Sequence, residues 1–237
     1  MTEAPAGVGR WLDVMRLGRR PYDEVHALQE ELVERRIAGS IRDTLILVEH
    51  DPVVTWGRAS REAPPAATSD AGSDIPVVAV ERGGEATYHG PGQLVAYPIY
   101  ALPEGRRDLH RYMRDLEEVV LRVLAEVQVE GRRKEGATGV WVGDAKIASI
   151  GVSVRRWVAW HGLALNVHTD LTAFAGFRPC GLDPKVMTRL ADLADVPPGS
   201  LLCEVLTVKH FLEVFDLELP PPAKPPEGRF PELPILG

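Results

Sequence analysis

The chain has 237 residues, a formal net charge of −7, 45% hydrophobic residues and 26% charged residues. This balance is that of a soluble globular protein, excludes global disorder, and argues against a bulk nucleic-acid binder. No apolar run approaches the roughly 20 residues of a membrane span, and the two cysteines, Cys180 and Cys203, are too few for a disulfide framework or an all-cysteine zinc site.

Residues 1–10, MTEAPAGVGR, lack the apolar core of a secretory signal and form a flexible N-terminal tail, so a cytoplasmic location without membrane association is expected. Residues 11–18 alternate as a strand. Residues 22–38 place Val25, Leu28, Leu32 and Val33 on one helical face, with Pro21 suited to the first turn. TLILVE at residues 44–49 is a buried-strand candidate, and HDPVVTWGR from His50 continues into a second short strand and a polar turn. Residues 61–74, rich in Pro, Ala, Ser and Gly, predict a flexible surface loop rather than a domain boundary, and IPVVAVE follows as one strand.

Residues 82–99, RGGEATYHGPGQLVAYPI, are the centre of the chain's chemistry. Gly83, Gly84, Gly90 and Gly92 permit close ligand approach, beside the polar groups of Arg82, Tyr88, His89 and Gln93, and LVAYPI is apolar enough to be a strand. The competing reading is a glycine-rich hairpin without a ligand. Asp108 can cap a helix reaching about Glu126, with Leu116, Val119, Val120, Val123, Leu124 and Val127 on its apolar side. Residues 138–167 then form short strands separated by turns too short for a parallel crossover, which predicts an antiparallel meander in a mixed α/β domain. Residues 200–216 read as a closing helix, and residues 218–237 as a proline-rich extended tail. There is no internal repeat.

Cys180 lies in FRPCGL, outside any periodic apolar run, whereas Cys203 sits inside LLCEVL as a small buried hydrophobe. Cys180 is therefore the candidate nucleophile, against the plainer reading of an inert thiol in a turn. Lys146 sits on a strand with Ala148 and Ile150 at alternate positions. Desolvation there would make a neutral amine available as a base, unless the side chain snorkels to solvent from a strand edge. Among the histidines, His89 and His161 each adjoin a glycine on a ligand-facing turn, while His26, His110, His168 and His210 read as packed or solvated. No HExxH, HxH or CxxC spacing supports a metal.

Taken together, RGGEATYHGPGQLVAYPI at Arg82, GVWVGDAKIASIGV at Gly139, WHGLALNV at Trp160 and RPCGL at Arg178, supported by HDPVVTWGR at His50, resemble the lipoyl(octanoyl) transferases. These enzymes move an octanoyl group from acyl carrier protein to a lysine of a lipoyl domain, and the match runs from about Trp11 to Phe215. The resemblance implies a catalytic domain over residues 11–217 with the fold of biotin and lipoate protein ligases, a mixed, largely antiparallel sheet flanked by helices. It implies that Cys180 is the acyl-thioester nucleophile and Lys146 the residue that activates it. Arg82, Gly83, Gly84, Glu85, Ala86, Thr87, Tyr88 and His89 would form the substrate loop. Ser149, Ile150 and Gly151, and Gly162, Leu163 and Ala164, would be two further substrate-binding segments. No cofactor is implied. The donor would be octanoyl-acyl carrier protein, and the acceptors the lipoyl domains of 2-oxoacid dehydrogenase complexes and the glycine cleavage H protein.

Because those partners are acidic, docking calls for a local basic surface, from Arg106, Arg107, Arg111 and Arg114 or from Arg132, Arg133 and Lys134. Two rivals remain at this point. An ATP-dependent lipoate or biotin ligase shares the fold, the glycine-rich loop and a strand lysine. A non-catalytic acyl-binding module would need neither Cys180 nor Lys146.

Overall fold

Alternation near the N-terminus becomes strand β1 (Leu12–Arg20), which leads through Pro21 into helix α1 (Tyr22–Ile37) and then strand β2 (Asp43–His50). These elements are seen in a computed structural model that describes residues 11–59, 67–68, 74–174, 183 and 186–221. Asp23 and Glu24 in the first turn of α1, and Arg35 and Arg36 in its last, match the helix dipole at both ends.

The short strands β3 (Val53–Trp56), β4 (Ala67–Thr68), β5 (Asp74–Ile75), β6 (Val77–Ala79) and β7 (Ala86–His89) follow. Strand β3 lies between β6, to which it is parallel, and β7, to which it is antiparallel, while β4 and β5 pair with each other. The single strand expected from IPVVAVE is corrected to two pieces. Pro76, which has no N–H to donate, separates β5 from β6 and gives its carbonyl to the Val54 amide at 2.9 Å. Most of the loop expected over residues 61–74 lies outside the described residues.

Strand β8 (Gln93–Ala101) is followed by α2 (Leu109–Glu126), whose N-terminus is capped as expected: the Asp108 carboxylate accepts from the His110 and Arg111 amides at 2.9 and 3.1 Å. Then come β9 (Arg132–Lys134), β10 (Ala137–Val142), β11 (Ala145–Arg155), β12 (Val158–Asn166) and α3 (Ser200–Phe215). The main sheet has seven strands in the order β1-β2-β8-β12-β11-β10-β9, antiparallel throughout except for β1 and β2. The mixed, largely antiparallel sheet flanked by helices is thus the observed architecture.

Both faces of this sheet are covered, which is why TLILVE reads as an unbroken apolar run. Leu45 and Leu47 pack with Leu116, Val120 and Leu124 of α2 and Phe211 and Phe215 of α3. Ile46 and Val48 face the other way, with Val25, Leu32 and Val33 of α1 and with Val95, Tyr97 and Trp160. Burying each such large side chain contributes about 1.5–3 kcal/mol. Past α3 the chain returns to β1, where the Leu12 amide donates to Glu218 O at 2.9 Å. Residues 1–10 and 222–237, which hold most of the two expected tails, lie outside the described residues. Among the described residues no helix is long and apolar enough to cross a membrane.

Candidate active site

Five elements line a cleft. One wall is the stretch leading into β7, with Arg82, Gly84, Thr87 and His89; the facing wall is the paired central part of β11 and β12. In that pairing Ser149 lies opposite Ala164, Ile150 opposite Leu163, and Gly151 opposite Gly162. Tyr22 from α1 and Tyr97 from β8 complete the lining together with His161. Gly162 is required by packing, since a Cβ there would overlap Ala96 O and Pro98 Cδ of the adjoining strand. The loop is anchored to the wall it faces by the Gly83 amide, which donates to Val152 O at 3.0 Å.

Behind the cleft the polar groups form a connected set. The Arg82 guanidinium, 7% exposed, donates to Thr55 O at 2.9 Å and Thr55 Oγ1 at 2.8 Å. His89 reaches Gln93 Oε1 through Nδ1 at 2.8 Å and Thr55 Oγ1 through Nε2 at 3.3 Å. An amide oxygen only accepts, so His89 Nδ1 carries the proton and Nε2 accepts from the threonine hydroxyl. Gln93 Nε2 in turn donates to Tyr88 O at 3.1 Å and Asn166 Oδ1 at 3.0 Å. Asn166 Nδ2 donates to Thr188 O, and the Thr188 amide to Lys146 O, each at 3.0 Å. A chain of hydrogen bonds therefore runs from the glycine-rich stretch to the backbone of Lys146.

The aromatic and imidazole groups here are held neutral. His50 donates through Nδ1 to Arg20 O at 3.1 Å and accepts from the Tyr97 hydroxyl at 2.9 Å; burial lowers its pKa to about 4. Burial also pushes His89 well below the ordinary histidine value, helped by the neighbouring His50, and takes His161 down to about 3. The phenols of Tyr22 and Tyr97 are pushed upward by the same desolvation. A cleft lined by Ile150, Leu163 and Ala164 together with the Arg82 guanidinium and neutral hydrogen-bonding groups suits an acyl chain ending in a polar carbonyl.

Lys146 is 3% exposed, on a strand that pairs with Trp141 on one side and bridges to Met187 on the other. Its Nζ lies 5.8 Å from the centre of the Trp141 ring. Gly139, at φ +123°, makes room for it: a Cβ there would stand 2.5 Å from Ala148 O and 2.6 Å from Lys146 Cε. Lys146 is thus buried, and the reading of a lysine that snorkels from a strand edge is corrected. Cys203 is fully buried on α3 with its thiol pushed up to about 11 by burial, which makes it inert at neutral pH. Cys180 lies outside the described residues.

The family described as lipoyl protein ligase A/B catalytic domain matches residues 21–215. This chain belongs to that family. Among curated relatives of this lipoyl protein ligase A/B member, the octanoyltransferase of Syntrophotalea carbinolica is 44% identical over 209 residues, covering 88% of this chain and 97% of that protein. The octanoyltransferase of Rubrobacter xylanophilus is 51% identical over 187 residues, 76% of this chain and 82% of that protein. The fold is shared with the bi-partite lipoate protein ligase of Thermoplasma acidophilum, at a TM-score of 0.69 and 18% identity over 89% of this chain and 86% of that one. It is shared also with lipoate-protein ligase A bound with ATP, at 0.67 and 17% over 90% and 87%.

In this lipoyl protein ligase A/B fold the structure brings Arg82, Gly84, Thr87, His89, Ser149, Ile150, Gly151, Gly162, Leu163 and Ala164 to one cleft. Ala86 and Tyr88 support the wall from behind instead: Ala86 pairs with Trp56, and the Tyr88 ring packs edge-on against Phe174 at 5.5 Å, while Gly83 bonds across to Val152 O and Glu85 O accepts from the Gly57 amide at 3.4 Å. The expectation that residues 82–89 form a single loop is corrected, because residues 86–89 are strand β7. Tyr22 and Tyr97 were not singled out from sequence, and His161 only for its neighbouring glycine. The side-by-side spacing of Tyr22 with Val25 and Gln29 on the buried face of α1 is the signal that carried Tyr22.

The two basic clusters behave differently from their charge count. Arg114 and Arg133 both pair with Glu117, at 2.6 and 3.2 Å, and Arg133 also with Glu118 at 2.8 Å. Arg132 is committed to Gly143 O and Asp144. The cluster at residues 132–134 is therefore largely internally neutralised.

Proposed function

We propose that this chain is an octanoyltransferase of protein lipoylation whose residues 11–217 carry the acyl group as a thioester on Cys180. The observation that carries this reading is the cleft between residues 82–89 and the β11–β12 wall, with aliphatic and hydrogen-bonding groups lining it, in a chain 44% identical to an octanoyltransferase across nearly all of that protein's length. The donor in this reading is octanoyl-acyl carrier protein. The acceptors are the lipoyl domains of 2-oxoacid dehydrogenase complexes and the glycine cleavage H protein, and the reaction takes place in the cytoplasm.

The chemistry needs no external activation. Attack of the Cys180 thiolate on the donor thioester forms one C–S bond and breaks another, so the exchange is close to isoenergetic. The acceptor lysine then attacks the enzyme thioester, the C–S bond breaks, and a more stable amide results. The kinetic obstacle is the acceptor ammonium, whose unperturbed pKa of about 10.4 leaves little free amine near neutral pH. Lys146 takes the Cys180 thiol proton and returns it to the departing carrier thiolate in the first half-reaction, then takes a proton from the attacking acceptor amine and returns it to the departing Cys180 thiolate in the second. Burial of Lys146 against Trp141 and Gly139 supports that role.

The test is transfer without nucleotide. Octanoyl-carrier protein, the enzyme and a lipoyl domain, mixed without ATP, should give an octanoyl amide on the acceptor lysine. Transfer that requires ATP and free octanoate, with pyrophosphate released, would replace this reading with a ligase.

A further inference from the structure

At the edge of the cleft three elements bring together groups that no spacing motif in the sequence links. His26 comes from α1, Glu81 precedes the glycine-rich loop, and His161 comes from β12; one ligand atom from each lies within 4.8 Å of the other two. We propose that these residues form a site for a borderline divalent transition-metal ion, Zn²⁺ by preference. Two imidazoles and a carboxylate are a donor set suited to Zn²⁺ or Co²⁺, with room for a fourth ligand, and poorly suited to Ca²⁺ or Mg²⁺, which take oxygen.

His161 is the best-prepared ligand. It is 2% exposed, its ring lies 4.2 Å from that of Trp160, and its backbone is held at φ 57°, a left-handed conformation uncommon for a non-glycine residue. Its amide donates to Gln29 Oε1 at 3.0 Å, which ties β12 to the helix turn that carries His26. Its buried Nε2 has no hydrogen-bond partner among the described residues, so the imidazole is fixed in place with a nitrogen unsatisfied.

The other two ligands are already in contact, with His26 Nε2 at 3.3 Å from Glu81 Oε2. Behind His26 the Glu30 carboxylate stands 3.9 Å from Nδ1, on the side where a supporting carboxylate orients a metal-bound histidine. His26 and Glu81 are 20% and 39% exposed, which gives an ion a path in from solvent. Arg82 and Arg58 also face His161. Their charge opposes a dication, and the Glu81 carboxylate offsets part of it.

The probe is Co²⁺ titrated into the full-length protein and followed by its visible d–d absorption. One Co²⁺ per chain should give a low-coordinate band that Zn²⁺ displaces. His26→Ala and Glu81→Gln should each weaken binding at least ~10-fold. Both residues are partly exposed, so circular dichroism should show the fold unchanged. Cys180→Ala should leave the band intact, which separates this site from the thiolate chemistry proposed above. Absence of a band, a band that survives both His26→Ala and Glu81→Gln, or a band lost with Cys180→Ala would overturn the proposal.

Discussion

Beneath α2 and α3 the main sheet buries leucine, valine and phenylalanine together with the inert Cys203, whereas on the α1 side Ile46, Val48 and Val95 give way toward the cleft to Tyr22, Tyr97, His50, His89 and Arg82. The first region gains free energy by removing apolar surface from water. The second holds polar groups, of which Tyr97, His50, His89 and Arg82 are satisfied by the partners described above, while His161 Nε2 finds none among the described residues. One sheet therefore supports a face that stabilises and a face that carries the cleft, and changes to the two should separate stability from activity.

The largest effect should come from the polar side. Lys146→Ala should slow both acylation and transfer by about 10²–10⁴-fold, the usual contribution of a positioned base, with its thermal midpoint near that of wild type. Wild-type rates in that variant would remove Lys146 from the mechanism.

Acid should also act through the polar side. His50 and His89 stay unprotonated in the fold, while in the unfolded chain each takes up a proton as pH falls through 6.5. The unfolded state then binds more protons, so stability is complete above pH 6.5 and declines as pH falls, for His50 down to about 4. Between pH 6.5 and 5 the loss from His50 should reach up to about 2 kcal/mol, with His89 acting in the same direction, read as a falling urea midpoint. A midpoint unchanged over that range would mean that these histidines are not held neutral.

On the apolar side the expected signature is the reverse. Phe211 is 1% exposed and stacks on Phe215 at 4.3 Å. Phe211→Ala should cost about 3–5 kcal/mol of stability while leaving the KM for donor unchanged at a temperature where the variant is folded. The smallest effect is expected at Asp108→Ala, about 1 kcal/mol, from loss of the α2 cap.

The same contrast explains how much was legible in the sequence. Apolar periodicity exposed α1, α2, α3, β2 and the β10–β12 meander, because packing on the apolar side obeys simple spacing. Strand β9 escaped because Arg132, Arg133 and Lys134 carry no apolar alternation; it is a charged edge strand that ends the sheet. Strand β7 escaped because its four residues are buried on both faces inside a glycine-rich stretch. The loop and the β11–β12 wall were readable from their local motifs. The spacing of Tyr22 with Val25 and Gln29 marks it as buried on α1, but what it meets there, like the place of His50, is set by the packing of α1 and β2 on the sheet, a tertiary relation with no local pattern. The neutral state of the histidines likewise depends on burial and on partners distant in sequence.

The central claim, an acyl group carried on Cys180 without nucleotide, is tested most directly by intact-mass measurement after exposure to octanoyl-carrier protein in the absence of ATP. A single octanoyl adduct, sensitive to hydroxylamine, is expected on the wild-type chain and none on Cys180→Ala. An adduct that persists in Cys180→Ala, or a wild-type chain that acquires none, would contradict it.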